Sequence, residues 1–198
     1  MKTYNVCVIT STRADYGVLR NLLLKMENEQ QINLTIVVTG THLLEDFGYT
    51  KREVLADGYT NIVDVKISTE KDDKAGMALA TSECMKKFAD YFASNVPDLL
   101  VVLGDRFEIF GAVSAAHMMG IKIAHISGGD VTEGAIDDAL RHSMTKMCMI
   151  HFPGCEQSAK RIIQMGEEPE RVFNVGEPGV ENCLNMTLYN RDALAKNL

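Results

Sequence analysis

The chain has 198 residues, 46% of them apolar and 24% charged, and its formal net charge is −7 at pH 7. That length fits one α/β domain, or one domain with a trailing segment, and is long enough to bury a substantial core. The acidic balance, with a pI near 5.2, disfavours nucleic acid and anionic lipid as partners and leaves room for a local basic pocket around one phosphate-bearing small molecule. No apolar run reaches the ~20 residues of a membrane helix, and Met1–Tyr4 leads straight into a strand-like run with no secretory leader. The five cysteines, Cys7, Cys84, Cys148, Cys155 and Cys183, are odd in number and widely spaced, without a C-x-x-C pair. Reduced thiols in a cytoplasmic protein are expected.

In chain order the pattern alternates strand and helix. Asn5–Thr10 is a short apolar run of strand length, Ser11–Gly17 a polar break, and Val18–Glu27 carries Leu at helical spacing. Ile32–Val38 is β-branched and strand-like, Phe47–Ala56 fits a short helix, and Asn61–Ile67 alternates as an edge strand does. Thr69–Gly76 is a charged loop and Met77–Phe92 a helix. After Pro97, Leu99–Leu103 is apolar on both faces, as a central parallel strand covered by helices is. Then follow a helix at Glu108–Met119, a strand at Lys122–Ile126, a Gly-rich loop at Gly128–Gly134 and a helix at Ile136–Met147. A strand at Met149–Phe152, a helix at Cys155–Met165 and a strand at Val172–Val175 complete the series. From Gly176 the sequence GEPGVENCLN reads as a domain-exit loop, with a helical tail from Tyr189 to Leu198. The expected fold class is α/β, a Rossmann-like, mostly parallel sheet with helices on both faces.

In such sheets ligands bind beyond the C-terminal ends of the strands. The segments found there are Ser11–Gly17, Thr39–His42, Gly104–Arg106, Ser127–Gly134 and Gly176–Gly179, each rich in glycine, charge or histidine. Ser11–Gly17 offers Arg13 and helix-start N–H groups to a phosphate, or is simply a capped helix start. Asp105 beside Arg106 serves either as a base with a fixed cation or as a structural ion pair. Asp137 and Asp138, with Arg141 and His142, open a helix after the Gly-rich loop, where the macrodipole alone favours acids. His125 and His142 are open to either a binding or a structural role, and His117 reads as structural. No histidine pair has the spacing of a metal site.

Four pieces occur in order: VITSTRADYG at the start, VVTGTHL up to His42 and beyond, VLGDR at Asp105, and HISGGDVTEGAIDDALRH from His125 to His142. Together they resemble the N-terminal domain of the hydrolysing UDP-N-acetylglucosamine 2-epimerases of sialic and legionaminic acid pathways. The resemblance implies one half of a glycosyltransferase-B-type architecture, residues 1–180 forming the domain and 181–198 leading toward a second one. It implies a homodimer acting on a nucleotide sugar, with no metal and no cofactor, UDP being part of the substrate and then a product. The reaction it implies is anti elimination of UDP followed by hydration to the free 2-epimer, with the chain inactive by itself. Asp105 and Asp137 match catalytic acids; Arg13 and Arg106 match positions near the nucleotide. Tyr16, His42, His125, Ser127, Gly128, Gly129, Asp130, Arg141 and His142 are the further substrate-binding candidates. The family motif H-V-E-G-G carries a Glu where this chain has Ser127, so Glu133 or Asp130 is expected to take that role, or the sugar to be a diacetamido analogue. A binding module without chemistry and a glycosyltransferase of the same architecture are the alternatives.

Overall fold

In the computed structural model, residues 2–67 and 73–185 are described, together with residues 189, 191 and 195. Six parallel strands form one sheet: β1 (Tyr4–Thr10), β2 (Ile32–Val38), β3 (Ile62–Asp64), β4 (Leu99–Leu103), β5 (Ile123–Ile126) and β6 (Ile150–Phe152). Their spatial order is β3-β2-β1-β4-β5-β6. The order reverses between β1 and β4, the point at which an open α/β sheet leaves a crevice above its strand ends. The helices are α1 (Arg13–Glu27), α2 (Lys51–Ala56), α3 (Lys74–Phe92), α4 (Phe107–Met118), α5 (Ile136–Met147), α6 (Glu156–Gln164) and α7 (Pro178–Asn185).

Successive side chains of a strand point to opposite faces, and this splits the core in two. Cys7 and Ile9 of β1, Leu100 and Val102 of β4 and Ile123 of β5 pack with Phe88, Phe92, Ile109 and Met144 from α3, α4 and α5. Val6, Val8, Val101, Ala124 and Ile126 pack on the other face with Leu19 and Leu23 of α1. Each central strand is therefore apolar on both sides, as Leu99–Leu103 required.

Several expectations need correction. Of the two readings of Ser11–Gly17 the capped helix start holds and the break does not: Thr12 caps α1 and the side chain of Asp15 answers its backbone in a capping box. β3 holds only three residues of the alternating run. The expected strand at Val172–Val175 reduces to one bridge, Val172 to His151, and Phe173 and Val175 are exposed. The expected exit loop contains α7, with Pro178 at its first position, where a missing N–H costs nothing. α7 returns onto α1, with Asn182 Nδ2 donating to the Gly17 carbonyl at 2.7 Å and Lys25 paired with Glu181. The loop expected at Thr69–Gly76 lies partly outside the described residues, and its last part, from Lys74, is helix capped by Asp73. Most of the expected tail helix at 189–198 also lies outside them. Among the described residues no helix is long and apolar enough to cross a membrane.

Candidate active site

The rim above the switch point is built from three strand-end turns. At the first, the carboxylate of Asp15 accepts from the backbone N–H of Ser11, Thr12 and Tyr16, each at 2.8 Å, and from the hydroxyl of Thr10 at 3.0 Å. This pins the turn from β1 into α1. His42 is fully buried beneath it, its ring nitrogens bonded to Thr10 Oγ1 at 3.0 Å and Thr50 Oγ1 at 2.7 Å. Tyr16 belongs to the core and bonds its hydroxyl to Asp57 and Tyr59. The structure thus makes interior props of His42 and Tyr16 and does not bring them to the mouth. Arg13 is exposed and paired with Glu53 at 2.8 Å. It lines a cleft of about 1010 Å³ with Arg20, Asp57 and Asn182, beside α1 and away from Asp105.

The second turn follows β4. Arg106 donates to both oxygens of the buried Glu108, at 3.1 and 2.8 Å. Asp105 is held by Arg141 of α5, which also donates to the Asp130 carbonyl at 2.9 Å and to Thr132 Oγ1 at 3.0 Å. One guanidinium therefore ties the β4 turn to the Gly-rich loop after β5. Burial pushes the Asp105 carboxyl above the usual carboxylate range; the charge of Arg141 opposes this and that of Asp137 adds to it. Asp137 also acts on Arg106, so the two candidate acids and two arginines share one patch. Asp138 caps the Thr132 N–H at 3.0 Å and lies 3.7 Å from His142, one turn along α5. His142 therefore has a partner on its own helix, and Glu133 is exposed in the loop.

The third turn leaves β5. Ser127 has φ +57°, the left-handed region that a non-glycine side chain occupies only under local strain. Gly128 and Gly129 follow; a Cβ on Gly129, at φ +80°, would sit 2.5 Å from the Ser158 carbonyl. Arg161 caps the Gly129 carbonyl, and Asp130 accepts from the Ser158 hydroxyl at the start of α6. The Ser127 hydroxyl donates to Glu177, 3.1 and 3.3 Å from its two carboxylate oxygens. Glu177 follows the last expected strand, outside the candidate set drawn from the sequence. Its one legible signal was the charge inside GEPG, and its partner lies 50 residues away.

His125 lies below this rim, fully buried, with Nε2 donating to the Gly104 carbonyl at 2.7 Å and Nδ1 3.2 Å from Thr145 Oγ1. Its ring supports the Asp105 turn from beneath. Burial lowers its pKa from 6.5 to about 4, so it folds neutral while the unfolded chain takes up a proton near 6.5. Its contribution to stability is complete above pH 6.5 and is lost as pH falls toward 4, by ~3 kcal/mol. Burial lowers His42 and His151 as well, in the same direction. Urea unfolding at pH 7 and pH 4.5 is expected to show this loss, and His125→Gln to make it shallower.

Among the described residues, no three His, Cys, Asp or Glu side chains are placed to hold a metal ion. The rim brings together Asp105, Asp137, Arg106, Arg141, Ser127, Gly128, Gly129, Asp130 and Glu177. It leaves His42, Tyr16 and His125 inside and Arg13 beside the α1 cleft.

A family model described as UDP-N-acetylglucosamine 2-epimerase matches residues 24–198. The chain is 37% identical over its whole length to a Campylobacter jejuni protein named GDP/UDP-N,N'-diacetylbacillosamine 2-epimerase (hydrolyzing), of which it covers 51%. It is 38% identical over 189 residues to the polysialic acid biosynthesis protein P7 of Escherichia coli, covering 96% of this chain and 48% of that one. The Neisseria meningitidis UDP-GlcNAc 2-epimerase solved with UDP-GlcNAc superposes with a TM-score of 0.80 at 18% identity, over 91% of this chain and 48% of that chain. The chain spans about half the length of the curated relatives it matches. With this fold, this rim and the match across residues 24–198, the chain belongs to the UDP-N-acetylglucosamine 2-epimerase family.

Proposed function

We propose that the chain supplies the sugar-side half of a hydrolysing 2-epimerase acting on a UDP-activated acetamido sugar, either UDP-N-acetylglucosamine or a diacetamido analogue. The observation that carries this reading is Asp105, held by Arg141 at the strand-end rim, with the charge of Asp137 acting on it. A carboxyl that burial holds above the ordinary carboxylate range is suited to moving a proton. In the elimination, one of these carboxylates takes the proton from C2, the C2–H electron pair becomes the C1=C2 double bond, and UDP leaves with the C1–O pair. Water then adds to the glycal to give the free 2-epimer. Arg106 is the rim cation proposed to face the diphosphate, and the turn at Gly128 and Gly129 lets backbone approach the sugar closely.

Support for the diacetamido option comes from the name of the Campylobacter relative and from Ser127 standing where the resembling motif has Glu. The proposal includes a homodimer in the cytoplasm, no resident cofactor, and a second domain entered after residue 180. Proton transfer and departure of UDP need nothing that the acids, arginines and water do not supply. The test is release of UDP from both sugars. The full-length protein, with a second half closing the cleft, is expected to turn over. The 198-residue chain alone is expected to release little UDP, since it spans about half the length of the curated relatives it matches. Brisk turnover by the 198-residue chain would overturn the two-half reading, and no turnover by the full-length protein would overturn the epimerase reading.

A further inference from the structure

Inverting C2 requires a proton to leave one face of the sugar and another to arrive on the opposite face. Two proton-carrying groups must therefore flank the substrate. Asp105 and Asp137 stand on the β4 side of the Ser127–Asp130 turn. The other side is reached by the segment that comes in from beyond β6, through the bridge of Val172 to His151. This segment carries Glu177, whose carboxylate accepts from Ser127 Oγ at 3.1 and 3.3 Å. Gly154 makes room for it, since a Cβ there would collide with a Glu177 carboxylate oxygen. The acids that the sequence offered are placed differently: Asp130 is bonded to Ser158 and Glu133 is exposed in its loop.

We propose that Glu177 is the acid that returns a proton to C2, supplying from a neighbouring segment the carboxyl that position 127 lacks; this rests on the epimerase reading. Burial pushes its carboxyl above the usual range, the charge of Asp130 adds to this, and the Ser127 hydroxyl opposes it. Asp130 is the charged group facing it; Ser127 and Gly154 are its uncharged neighbours. After the elimination the base returns the first C2 proton to solvent. In the hydration, the oxygen of water bonds to C1, the C1=C2 pair takes the Glu177 proton to form the new C2–H bond, and the remaining water proton passes to Asp105. Glu177 ends as a carboxylate and is reprotonated by solvent.

The test is Glu177→Gln in the full-length protein, with UDP and sugar products followed separately by NMR. UDP release is expected to persist while free 2-epimer falls by about 10²-fold, so that the glycal accumulates. The alkaline limb of epimer formation, which reports loss of the Glu177 proton, is expected to vanish. Adding Ser127→Glu to Glu177→Gln returns a carboxyl to the turn and is expected to restore epimer. Should Glu177→Gln prove unfolded by circular dichroism, Ser127→Ala removes the hydrogen-bond donor with Glu177 in place, and glycal is expected to accumulate to a smaller extent. A variant of either kind that folds, and that partitions UDP and epimer as the wild type does across the pH range, overturns the proposal. If in the same assay Asp105→Asn abolishes UDP release, the epimerase reading survives that result. A wild-type protein that releases no UDP overturns both.

Discussion

Asp105→Asn in the full-length protein is expected to cut UDP release by about 10²–10⁴-fold, the range a positioned general base contributes, with nucleotide binding retained. Asn keeps the shape and the hydrogen bond from Arg141 but cannot accept a proton. The wild-type rate is expected to rise with pH through the Asp105 ionisation, whose midpoint burial and Asp137 hold above the ordinary carboxylate range. Asp137→Asn removes the neighbouring negative charge, so any residual activity is expected to rise at lower pH. The check is kcat/KM against pH for the three proteins, with nucleotide affinity measured by calorimetry. Unchanged turnover in Asp105→Asn would make Asp105–Arg141 a structural pair.

Arg141→Ala is expected to damage both stability and chemistry. Its guanidinium joins the β4 turn, through Asp105, to the loop after β5, through Asp130 and Thr132. Breaking a fully buried pair costs roughly 3–5 kcal/mol. Here the two side chains are 11% and 18% exposed, so about 2–3 kcal/mol is expected. Loss of the cation also raises the Asp105 pKa further, moving the rise in rate to higher pH. Arg141→Lys is expected to rescue little, because one ammonium cannot reproduce the fork that spans three partners. Urea unfolding together with the pH profile checks this; a variant that unfolds as the wild type does would show that the loop holds itself.

Where the hydrophobic pattern was clear, sequence and structure agree residue for residue, as at the apolar run of β4 (Leu99–Leu103) and the amphipathic α5 (Ile136–Met147). β4 is covered by helices on both faces, and α5 presents Met144 to the same core. At the start of α1 the sequence left a polar break and a capped helix start both open, and the capped start holds. The T-x-x-D capping box at Thr12 and Asp15 was present in the sequence and outweighs one glycine. Val172–Val175 failed because β-branched residues beyond the edge strand β6 find one bridge there and are otherwise exposed. The rim itself was legible, since topology alone brings Asp105, Ser127–Asp130 and Asp137 to one end of the sheet. The direction of each side chain was not. His42 reads like a ligand at a strand end, yet two threonines hold both of its nitrogens in the core. Glu177 reads like a loop charge, yet it meets a turn 50 residues away.

The most direct measurement is to run the full-length protein on UDP-N-acetylglucosamine and on a UDP-diacetamido sugar in deuterated water, with proton NMR of the released sugar. Proton exchange at C2 through the acids of this rim predicts UDP and a free sugar of inverted C2 configuration carrying one deuterium there. A free sugar that keeps its C2 configuration and its original hydrogen, or a sugar passed to an acceptor with C2 untouched, would contradict it.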